Sequence, residues 1–449
     1  MPIPSSLILA EKSVPRYTSY PTAPHFTAAV DGAVARHWMG ELPAGASLSV
    51  YLHVPYCRAM CNYCGCNTKV ARRQEPLDDY TETLLAEIDV LADATAARRV
   101  THIHWGGGTP SLLGPERLAR LADKLASRFN LGGIVEHAIE LDPRTVDPAL
   151  AAGLARIGIN RASLGVQDLN LHVQTAIGRV QPYETVARCV AMLRAVGVEA
   201  INLDLMYGLP HQSVDDVVRT AELSAGLDPT RLAIFGYAHV PWFKVHQRLI
   251  DAAALPGAAE RLQQAAAARD ALVGRGYDVI GLDHFARPDD PMAIAARDGT
   301  LRRNFQGYTT DVADALVGLG ASSIGRLPKG YIQNAPDVAG WRRAVEAGEL
   351  PVVKGVPFSV EDHVRAGVIE RLMCDFAVDF GALAQAAYGH AEALDDAIAP
   401  LQDLQRDGVL RLDGRRVALT EAGKPFMRLA AAAFDSYLHA GSARHSAAV

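Results

Sequence analysis

The sequence has few of the features that mark membrane, disulfide-rich or nucleic-acid-binding proteins. No apolar run is long enough to cross a bilayer. The short apolar run at residues 7–10 is followed by acidic Glu11, which does not fit a signal peptide. With 44 basic and 50 acidic residues, the net charge of −6 gives no broad basic field. We therefore expect a cytoplasmic protein that binds neither nucleic acid nor a membrane.

Cysteine and aromatic residues are also scarce, but apolar residues are not. There are six cysteines in 449 residues, and a reducing cytosol keeps such thiols free. Apolar residues make up 49% of the chain and charged residues 21%, which excludes general disorder and allows a large buried core. The length suggests two or three domains.

Short apolar segments alternate with helical segments through the first half of the chain. Apolar runs rich in β-branched residues predict strands, and 3.6-residue periodicity predicts the helices between them. The predicted strands are residues 48–54, 100–105, 136–141, 161–166, 199–208 and 231–240. The predicted helices are residues 77–92, 114–129, 148–157, 183–197 and 213–227. This alternation predicts a parallel sheet with helices outside it.

Polar residues or glycines follow each predicted strand. They are Cys57, residues 106–109, Glu140 and Asp142, Gln167, Asp204 and Tyr207, and His239. In a barrel these positions meet at one mouth, whereas an open sheet spreads them along an edge. We favour the barrel. After an alanine-rich helix near 258–275, a helical segment from about 357 ends in a hairpin with an Asp-Gly turn and a further helix.

Four of the six cysteines lie within ten residues, in "CRAMCNYCGC". Cys57, Cys61 and Cys64 have the spacing C-x3-C-x2-C, and Cys66 follows. Thiolates at such spacing bind iron–sulfur clusters or zinc, and a redox-active thiol pair is a further alternative. Three thiolates on one tight loop favour a cluster with one open iron, and the spacing leaves the role of Cys66 open. Cys189 and Cys374 stand alone in helical patterns as small buried residues.

The cysteine motif, placed after the first strand of a β-α series, resembles that of the radical S-adenosylmethionine (SAM) enzymes. Further stretches, "HWGGGTPSLL", "ELDPRT", "SLGVQDLN", "INLDLMYGLP", "YAHVPW", "LRRNFQGYTT" and "PRYTSYPTAPHF", are similar to those of the oxygen-independent coproporphyrinogen III oxidase family across nearly the whole chain. The resemblance implies an α/β fold: a partial (β/α)6 TIM-like barrel of the radical SAM type. An irregular arm (1–45) precedes the barrel (46–350), and a mainly helical, winged-helix-like domain (351–449) follows it.

The resemblance also implies the cofactors and the reaction. Cys57, Cys61 and Cys64 would hold a [4Fe–4S] cluster whose fourth iron is chelated by SAM, and two SAM molecules would bind. A 5′-deoxyadenosyl radical would start oxidative decarboxylation of the ring A and B propionates of coproporphyrinogen III, giving protoporphyrinogen IX in haem biosynthesis. The implied partners are this substrate, an electron donor such as flavodoxin or ferredoxin, and an unknown electron acceptor. The chain would act as a monomer.

Site residues follow from the same resemblance, position by position. The positions implied to contact SAM are Tyr51, Tyr63, Gly107, Gly108, Thr109, Glu140, Gln167, Arg179, Asp204, Ala238 and Ile324. Cys66 matches a family cysteine outside the three ligands, with an undefined catalytic role. The four propionates of the substrate require basic groups, and the candidates are Arg16, Arg302, Arg303 and Lys329.

Three other functions compete with this interpretation. A sister group that resembles this family binds haem as a chaperone and lacks oxidase activity, but its members tend to lack the arm and the cysteine matching Cys66. A radical SAM methyltransferase would release S-adenosylhomocysteine. A structural zinc protein would contain no iron or sulfide.

Overall fold

A sheet of 12 strands forms the centre of the computed structural model, which describes residues 6–438. The strands of the described part are, in chain order, β1 (Ser47–Val54), β2 (Tyr56–Cys57), β3 (Lys69–Val70), β4 (Arg99–Gly107), β5 (Glu136–Leu141), β6 (Arg161–Gln167), β7 (Ala200–Tyr207), β8 (Arg231–Gly236), β9 (Asp278–Ile280), β10 (His284–Ala286), β11 (Arg302–Asn304), β12 (Gly307–Thr309), β13 (Ala315–Leu319), β14 (Ile324–Leu327), β15 (Gly330–Asn334), β16 (Val352–Pro357), β17 (Ala377–Asp379), β18 (Leu410–Asp413) and β19 (Arg416–Leu419).

The strand order in this sheet is β16-β15-β14-β13-β1-β4-β5-β6-β7-β8-β10-β9. Seven consecutive strands, from β13 to β8, are parallel, and the strands outside them are antiparallel. Because parallel strands point the same way, their carboxyl ends meet at one edge. The six predicted strands are confirmed as β1, β4, β5, β6, β7 and β8. Strand β13 is a seventh parallel strand, which the sequence pattern did not predict.

Helices cover the sheet and connect its strands. The α-helices of the described part are α1 (Ser6–Glu11), α2 (Gly32–Gly40), α3 (Glu75–Ala94), α4 (Gly114–Arg128), α5 (Pro148–Arg156), α6 (Leu171–Ala176), α7 (Tyr183–Ala195), α8 (Val214–Ala225), α9 (Ala258–Gly274), α10 (Pro291–Arg297), α11 (Val338–Glu346), α12 (Val360–Asp375), α13 (Phe380–Tyr388), α14 (Ile398–Arg406) and α15 (Met427–Ala432).

Local chemistry explains where several helices begin. The Asp147 carboxylate accepts the Leu150 N–H at 2.8 Å and caps α5. Ser213 and Asp216 form a capping box at the start of α8. All five predicted helices are present, with bounds that differ by at most two residues.

The strands of the sheet differ in how deeply they are buried, and this difference leaves room for a site. Nearly every residue of β1 is buried, as predicted for a strand covered on both faces. In contrast, β6 and β7 alternate between buried and half-buried positions. The half-buried positions carry Ser163, Asn202 and Asp204, so one face of these strands lines a polar space. Strands β6 and β7 are therefore fully buried on one face only.

Two further boundaries differ from the sequence prediction. The strand predicted at 231–240 ends at Gly236 because the chain turns there, and the Tyr237 N–H donates to the Tyr207 carbonyl. The arm predicted as irregular contains α1 and α2, and the Asp31 carboxylate caps α2. The helix predicted at 258–275 is α9, and the predicted Asp-Gly hairpin is formed by β18 and β19.

The arm packs against the C-terminal part of the chain. Helices α12 to α15 and the small sheet β17-β19-β18 form a hydrophobic core, in which Leu9, Val14, Tyr17 and Tyr20 of the arm are buried. The division at residues 45 and 350 stays a prediction. Across residues 6–438, no helix is both long and apolar enough to span a membrane.

Candidate active site

The cysteine loop lies at the carboxyl edge of the parallel strands. It begins after β1, where Tyr56 and Cys57 pair with Lys69 and Val70. The Asn62 N–H donates to the Ile177 carbonyl at 2.9 Å and fixes the middle of the loop. The loop is therefore bound at both ends and at its centre.

The thiols of this loop have the chemistry that a cluster requires. Cys57 and Cys64 are half-buried, Cys61 is buried, and none is in a disulfide. A hydrogen bond from Cys66 lowers the pKa of the Cys64 thiol to about 6 and raises that of Cys66. Burial raises the pKa of the Cys57 thiol as well, so these pKa shifts do not distinguish the three predicted ligands from Cys66. The chemistry of the thiols fits a cluster, although no three His, Cys, Asp or Glu side chains in residues 6–438 already stand in the arrangement of a metal site.

Arg179 connects the cysteine loop to the next strands. Its guanidinium donates to Cys61 Sγ at 3.7 Å and to the Gly165 carbonyl at 2.7 Å, and it lies 3.3 Å from Asp142. Burial opposes the charge, but Tyr63, Asp142 and Cys61 outweigh it and raise the Arg179 pKa. Its Nε is buried without a partner among the described residues. The cation can therefore stabilise a thiolate and still bind an anionic group.

Glu140 lies beside the glycine turn that ends β4. Its carboxylate accepts the Gly107 N–H and a hydrogen bond from His104 Nε2, both at 3.1 Å. Burial raises the pKa of this carboxyl, but His104 and the Gly107 N–H outweigh it and hold the pKa below its usual value. A Cβ at Gly106 would lie 2.7 Å from Glu140 Oε1, so only glycine lets the carboxylate approach. The result is a fixed anion at the strand edge.

Aromatic rings and a hydroxyl complete this side of the site. Tyr51 OH lies 3.1 Å from His53 Nδ1, and the Tyr51 ring stacks on His104 at 5.8 Å. Burial lowers the pKa of His53, so this ring is neutral. Thr109 Oγ1 donates to Cys57 Sγ at 3.5 Å. Thr109 therefore contacts the cysteine loop and Tyr51 contacts His53 and His104, while the SAM contacts implied for both residues stay predictions.

The polar space over β6 and β7 contains two more predicted residues. Asp204 accepts hydrogen bonds from Ser163 Oγ at 2.6 Å and Asn202 Nδ2 at 2.8 Å, and burial raises its pKa. Gln167 has a positive φ of 68°, an uncommon conformation that turns the chain at the end of β6. The Oδ1 atom of Asn202 is buried without a partner among the described residues. A polar ligand would satisfy it.

Three predicted residues lie at the margins of this arrangement. Tyr63 packs beside the apolar cluster that contains Ile177 and Tyr237. Ala238 follows β8, where its carbonyl accepts from Gln247 Nε2 at 3.3 Å. Ile324 begins β14, and its carbonyl lies close to the glycine that pairs with Tyr51. Within residues 6–438, the contacts of these three residues do not indicate how they would bind a ligand.

A cavity of about 500 Å³ adjoins the strand edge at β7 and β8. Apolar side chains form much of its wall, and its basic residues are Arg16, Arg261, Arg269, Arg303, Lys424 and Arg428. Asp283 is the carboxylate among the lining residues. Burial lowers the pKa of Arg428 to about 10, and repulsion from Arg16 adds to this. The cavity therefore suits an apolar molecule that carries several negative charges.

The structure separates the four predicted substrate contacts. Arg16 and Arg303 line the cavity, and Arg303 Nη1 is buried without a partner among the described residues. Arg302 instead forms a surface ion pair with Glu370 at 3.1 Å. Lys329 pairs with Glu41 at 2.5 Å. Neither of these two lines the cavity.

Sequence reasoning missed several residues that build the site. Arg261 and Arg428 come from α9 and α15, which carry no motif and read as ordinary surface helices. Asp142 was identified as a residue at a strand end, but its ion pair with Arg179 was not predicted. His104 hydrogen-bonds to Glu140, and this contact was not predicted either.

Comparison with known proteins gives two family matches. A profile described as "Radical SAM superfamily" matches residues 51–224, and one described as "HemN C-terminal domain" matches residues 358–426. The first covers the cysteine loop and strands β1 to β7. The second covers helices α12 to α14 and the small C-terminal sheet.

Several curated proteins and one solved structure are similar over almost the whole chain. The chain is 47% identical over 440 residues to an oxygen-independent coproporphyrinogen III oxidase of Bradyrhizobium diazoefficiens, covering 98% of each sequence. It is 43% identical to the protein of that name from Paracoccus denitrificans, again covering 98% of each. The structure of coproporphyrinogen III oxidase (HemN) from Escherichia coli, a radical SAM enzyme, superimposes with a TM-score of 0.89 at 34% identity, covering 95% of this chain and 100% of that one.

Proposed function

We propose the following function from the premise that this chain belongs to the family of oxygen-independent coproporphyrinogen III oxidases, to which it is up to 47% identical over its length. It is a radical SAM oxidoreductase that converts the ring A and B propionates of coproporphyrinogen III to vinyl groups, yielding protoporphyrinogen IX. Its cofactors are a [4Fe–4S] cluster and SAM. The basic cavity at the ends of β7 and β8 is the observation that supports this substrate most directly.

Cys57, Cys61 and Cys64 would hold the cluster. When bound and reduced, the cluster and SAM supply a radical that removes a hydrogen atom from the β-carbon of a propionate. Arg179 and Thr109 donate to two of the thiols, and so they hold the loop geometry and stabilise the thiolate charge. Cys66 is exposed and follows the third of these cysteines, and its function stays undefined.

We assign SAM binding to the fixed polar groups around the strand edge. Glu140 can accept an ammonium or ribose hydroxyl group, and the backbone of Gly107, Gly108 and Thr109 can approach a ligand closely. Asp204, Gln167 and Arg179 line the neighbouring polar space, where a second SAM molecule would lie. Tyr51, Tyr63, Ala238 and Ile324 would supply apolar or backbone contacts.

The cavity residues would bind and orient the porphyrinogen. Arg16 and Arg303 would pair with propionates that are not reacting, and Arg261 and Arg428 would add positive charge from α9 and α15. Apolar wall residues would pack on the macrocycle and exclude water from the reacting carbon. The reacting propionate then loses a hydrogen atom, carbon dioxide and one electron. No residue of the chain has to act as a strong base, because the hydrogen leaves as an atom.

Several finer predictions remain part of this proposal. We place the protein in the cytoplasm, where reductants keep the six free thiols reduced. A low-potential carrier such as flavodoxin or ferredoxin would supply electrons to a monomer, and an unknown acceptor would take the final electron. The haem-binding chaperone is the alternative, but the identity of the curated relatives and the arm beside the cavity favour the oxidase.

An anaerobic assay with a matched cysteine pair tests the function. The reconstituted protein receives dithionite, SAM, an electron acceptor and coproporphyrinogen III, and divinyl product and 5′-deoxyadenosine are quantified. We expect both products from the wild type and neither from Cys61→Ala, which would also bind less iron and sulfide. Cys189→Ala, a change at a buried cysteine outside the loop, should keep both. Stoichiometric haem binding without divinyl product would contradict the oxidase and support the chaperone.

A further inference from the structure

A second segment of the chain lies against the outside of the cysteine loop. Residues 240–250 leave β8 and include a short 3-10 helix, Val245–Leu249. Three of its side chains hydrogen-bond to backbone carbonyls of the loop: Lys244 to Cys66 at 2.9 Å, His246 to Cys64 at 2.6 Å, and Gln247 to Tyr63 at 2.8 Å. The segment and the loop therefore form one surface, defined here as the donor face: residues 57–74 and 240–250.

The donor face exposes apolar side chains that a protein surface usually buries. Phe243 is 73% exposed, Val245 63% and Leu249 72%, and Val70 of the loop is 41% exposed. Trp242 is 55% exposed and also lines the cavity, so it lies where the two regions meet. Sixteen large hydrophobic side chains are exposed in residues 6–438, and these five lie on the 29 residues of the donor face. Such concentration of apolar area is typical of a binding surface.

The charge of the donor face opposes that of the whole chain. Its two segments contain six basic residues, Arg58, Lys69, Arg72, Arg73, Lys244 and Arg248. The acidic residues Glu75 and Asp251 follow directly after the segments, and Glu75 lies 3.7 Å from Arg73, so the basic residues outnumber the acidic ones six to two. The complete chain has a net charge of −6. Apolar centres flanked by one sign of charge attract partners of the opposite sign and bind them transiently.

We propose that the donor face is the docking surface for an acidic one-electron carrier protein. This inference rests on the proposed function, because a cluster held by the loop must receive one electron from outside in each turnover. The reduced carrier passes one electron to the oxidised cluster and leaves oxidised by one electron, with no bond formed or broken. The carrier reaches the cluster through the loop itself, since the face and the three cysteine ligands belong to the same segment.

The test measures electron transfer without the substrate. Fully reduced flavodoxin, an acidic flavin carrier, is mixed anaerobically in a stopped-flow instrument with the full-length, cluster-loaded protein, and flavin oxidation is followed. The variant Arg248→Glu/Leu249→Asp changes two exposed side chains that contact neither the loop carbonyls nor the cavity. We expect its second-order rate constant at low salt to fall at least tenfold below that of the wild type.

A matched variant and a small reductant separate docking from other defects. Arg411→Glu/Val360→Asp likewise replaces one exposed arginine and one exposed aliphatic residue with acids, but in the C-terminal region, and should stay within about twofold of the wild type. Iron and sulfide content should be equal in all three proteins. Dithionite-driven production of protoporphyrinogen should also be equal, because dithionite needs no docking surface.

Each other outcome has a distinct meaning. Equal flavodoxin rates for the wild type and the donor-face variant would overturn the proposal. A change in sedimentation mass of the donor-face variant, with an unchanged flavodoxin rate, would assign the face to a second copy of the chain and overturn it as well. Failure of dithionite-driven turnover in the wild type would overturn the proposed function, while the flavodoxin rates would still decide whether the face binds carriers.

Discussion

Two basic regions of this protein contain the same number of positive side chains but differ in how far these side chains are exposed to solvent. The cavity has six basic residues around about 500 Å³, whereas the donor face has six on open surface. In the cavity, burial and mutual repulsion lower the pKa of Arg428 to about 10, so assembling this charge costs stability. An enclosed site can surround a small polyanion completely. An exposed face stays accessible to a macromolecule, and its charges are screened by salt.

The largest expected effect is on the KM for the substrate, and it concerns two neighbouring arginines of which only one lines the cavity. Arg302 and Arg303 are adjacent on β11, so their side chains point to opposite sides. Arg303→Ala should raise the KM for coproporphyrinogen roughly 30-fold, because a charged hydrogen bond to a propionate is worth about 2 kcal/mol. Arg302→Ala, which removes a surface ion pair, should change it less than about twofold.

A measurement of thermal stability checks the interpretation of this pair. Arg303 also donates to the Tyr17 carbonyl at 3.2 Å, so its truncation loosens the arm. Arg303→Lys keeps the positive charge but loses the planar guanidinium group. Its KM should lie between the values of the wild type and Arg303→Ala, while its melting temperature should stay as low as that of Arg303→Ala, because the contact with the arm is not restored. Equal KM values for Arg302→Ala and Arg303→Ala would show that position in the cavity does not decide substrate binding.

A salt titration should also distinguish the cavity from the donor face, although the expected changes are smaller than that for Arg303→Ala. The rate of reduction by flavodoxin should fall about tenfold between 20 and 300 mM salt, because the donor face is exposed. The KM for coproporphyrinogen should rise less than about threefold over the same range, since the cavity excludes most counterions. Parallel salt dependence of both quantities would mean that the cavity is as open as the face.

The smallest expected effect on either binding reaction comes from a buried acid outside both regions. Glu87 of α3 accepts the Gly320 N–H at 2.6 Å and Asn334 Nδ2 at 2.7 Å, and burial raises its pKa to about 7. The folded state therefore binds this proton more tightly than the unfolded state, whose pKa is about 4.5. Glu87→Gln should leave the substrate KM and the flavodoxin rate unchanged.

The same substitution should alter the pH dependence of stability. A raised pKa in the folded state favours folding most below pH 4.5, and this contribution is lost as the pH rises towards 7. The loss amounts to about 3 kcal/mol, measured as a pH-dependent urea midpoint. Glu87→Gln should remove this slope. A slope identical to that of the wild type would show that Glu87 does not titrate in this range.

The parallel strands could be predicted from the sequence because their signal is local. Runs such as residues 48–54 are rich in apolar residues and bounded by turn residues, and the structure reproduces those bounds to within one residue. Strands β13 to β16 were missed for the opposite reason. They are short and contain glycines such as Gly318, Gly325 and Gly355, which fit closely against neighbouring backbone or side chains only after the sheet has assembled.

The residues of the site also differ in whether a local signal in the sequence identifies them. The cysteine loop, the glycine turn and Glu140 lie at strand ends, so a linear motif predicts them together. Arg261 and Arg428 reach the cavity from helices more than 160 residues apart in sequence, and helix periodicity alone does not reveal which exposed face meets a cavity. Lys329 was chosen for its charge alone, but Glu41 lies beside it in the fold.

The packing of the arm has a consequence for the order in which the protein is made. The arm leaves the ribosome first, but its anchors are made last: the Arg428 guanidinium donates to the Pro15 carbonyl at 3.0 Å, and Tyr17 OH donates to Asp435 at 3.0 Å. These contacts span more than 400 residues of chain. Partners so distant in sequence come together late in folding. A nascent chain can therefore complete its parallel strands and cysteine loop well before it can enclose a porphyrinogen, so substrate capture waits for the finished polypeptide.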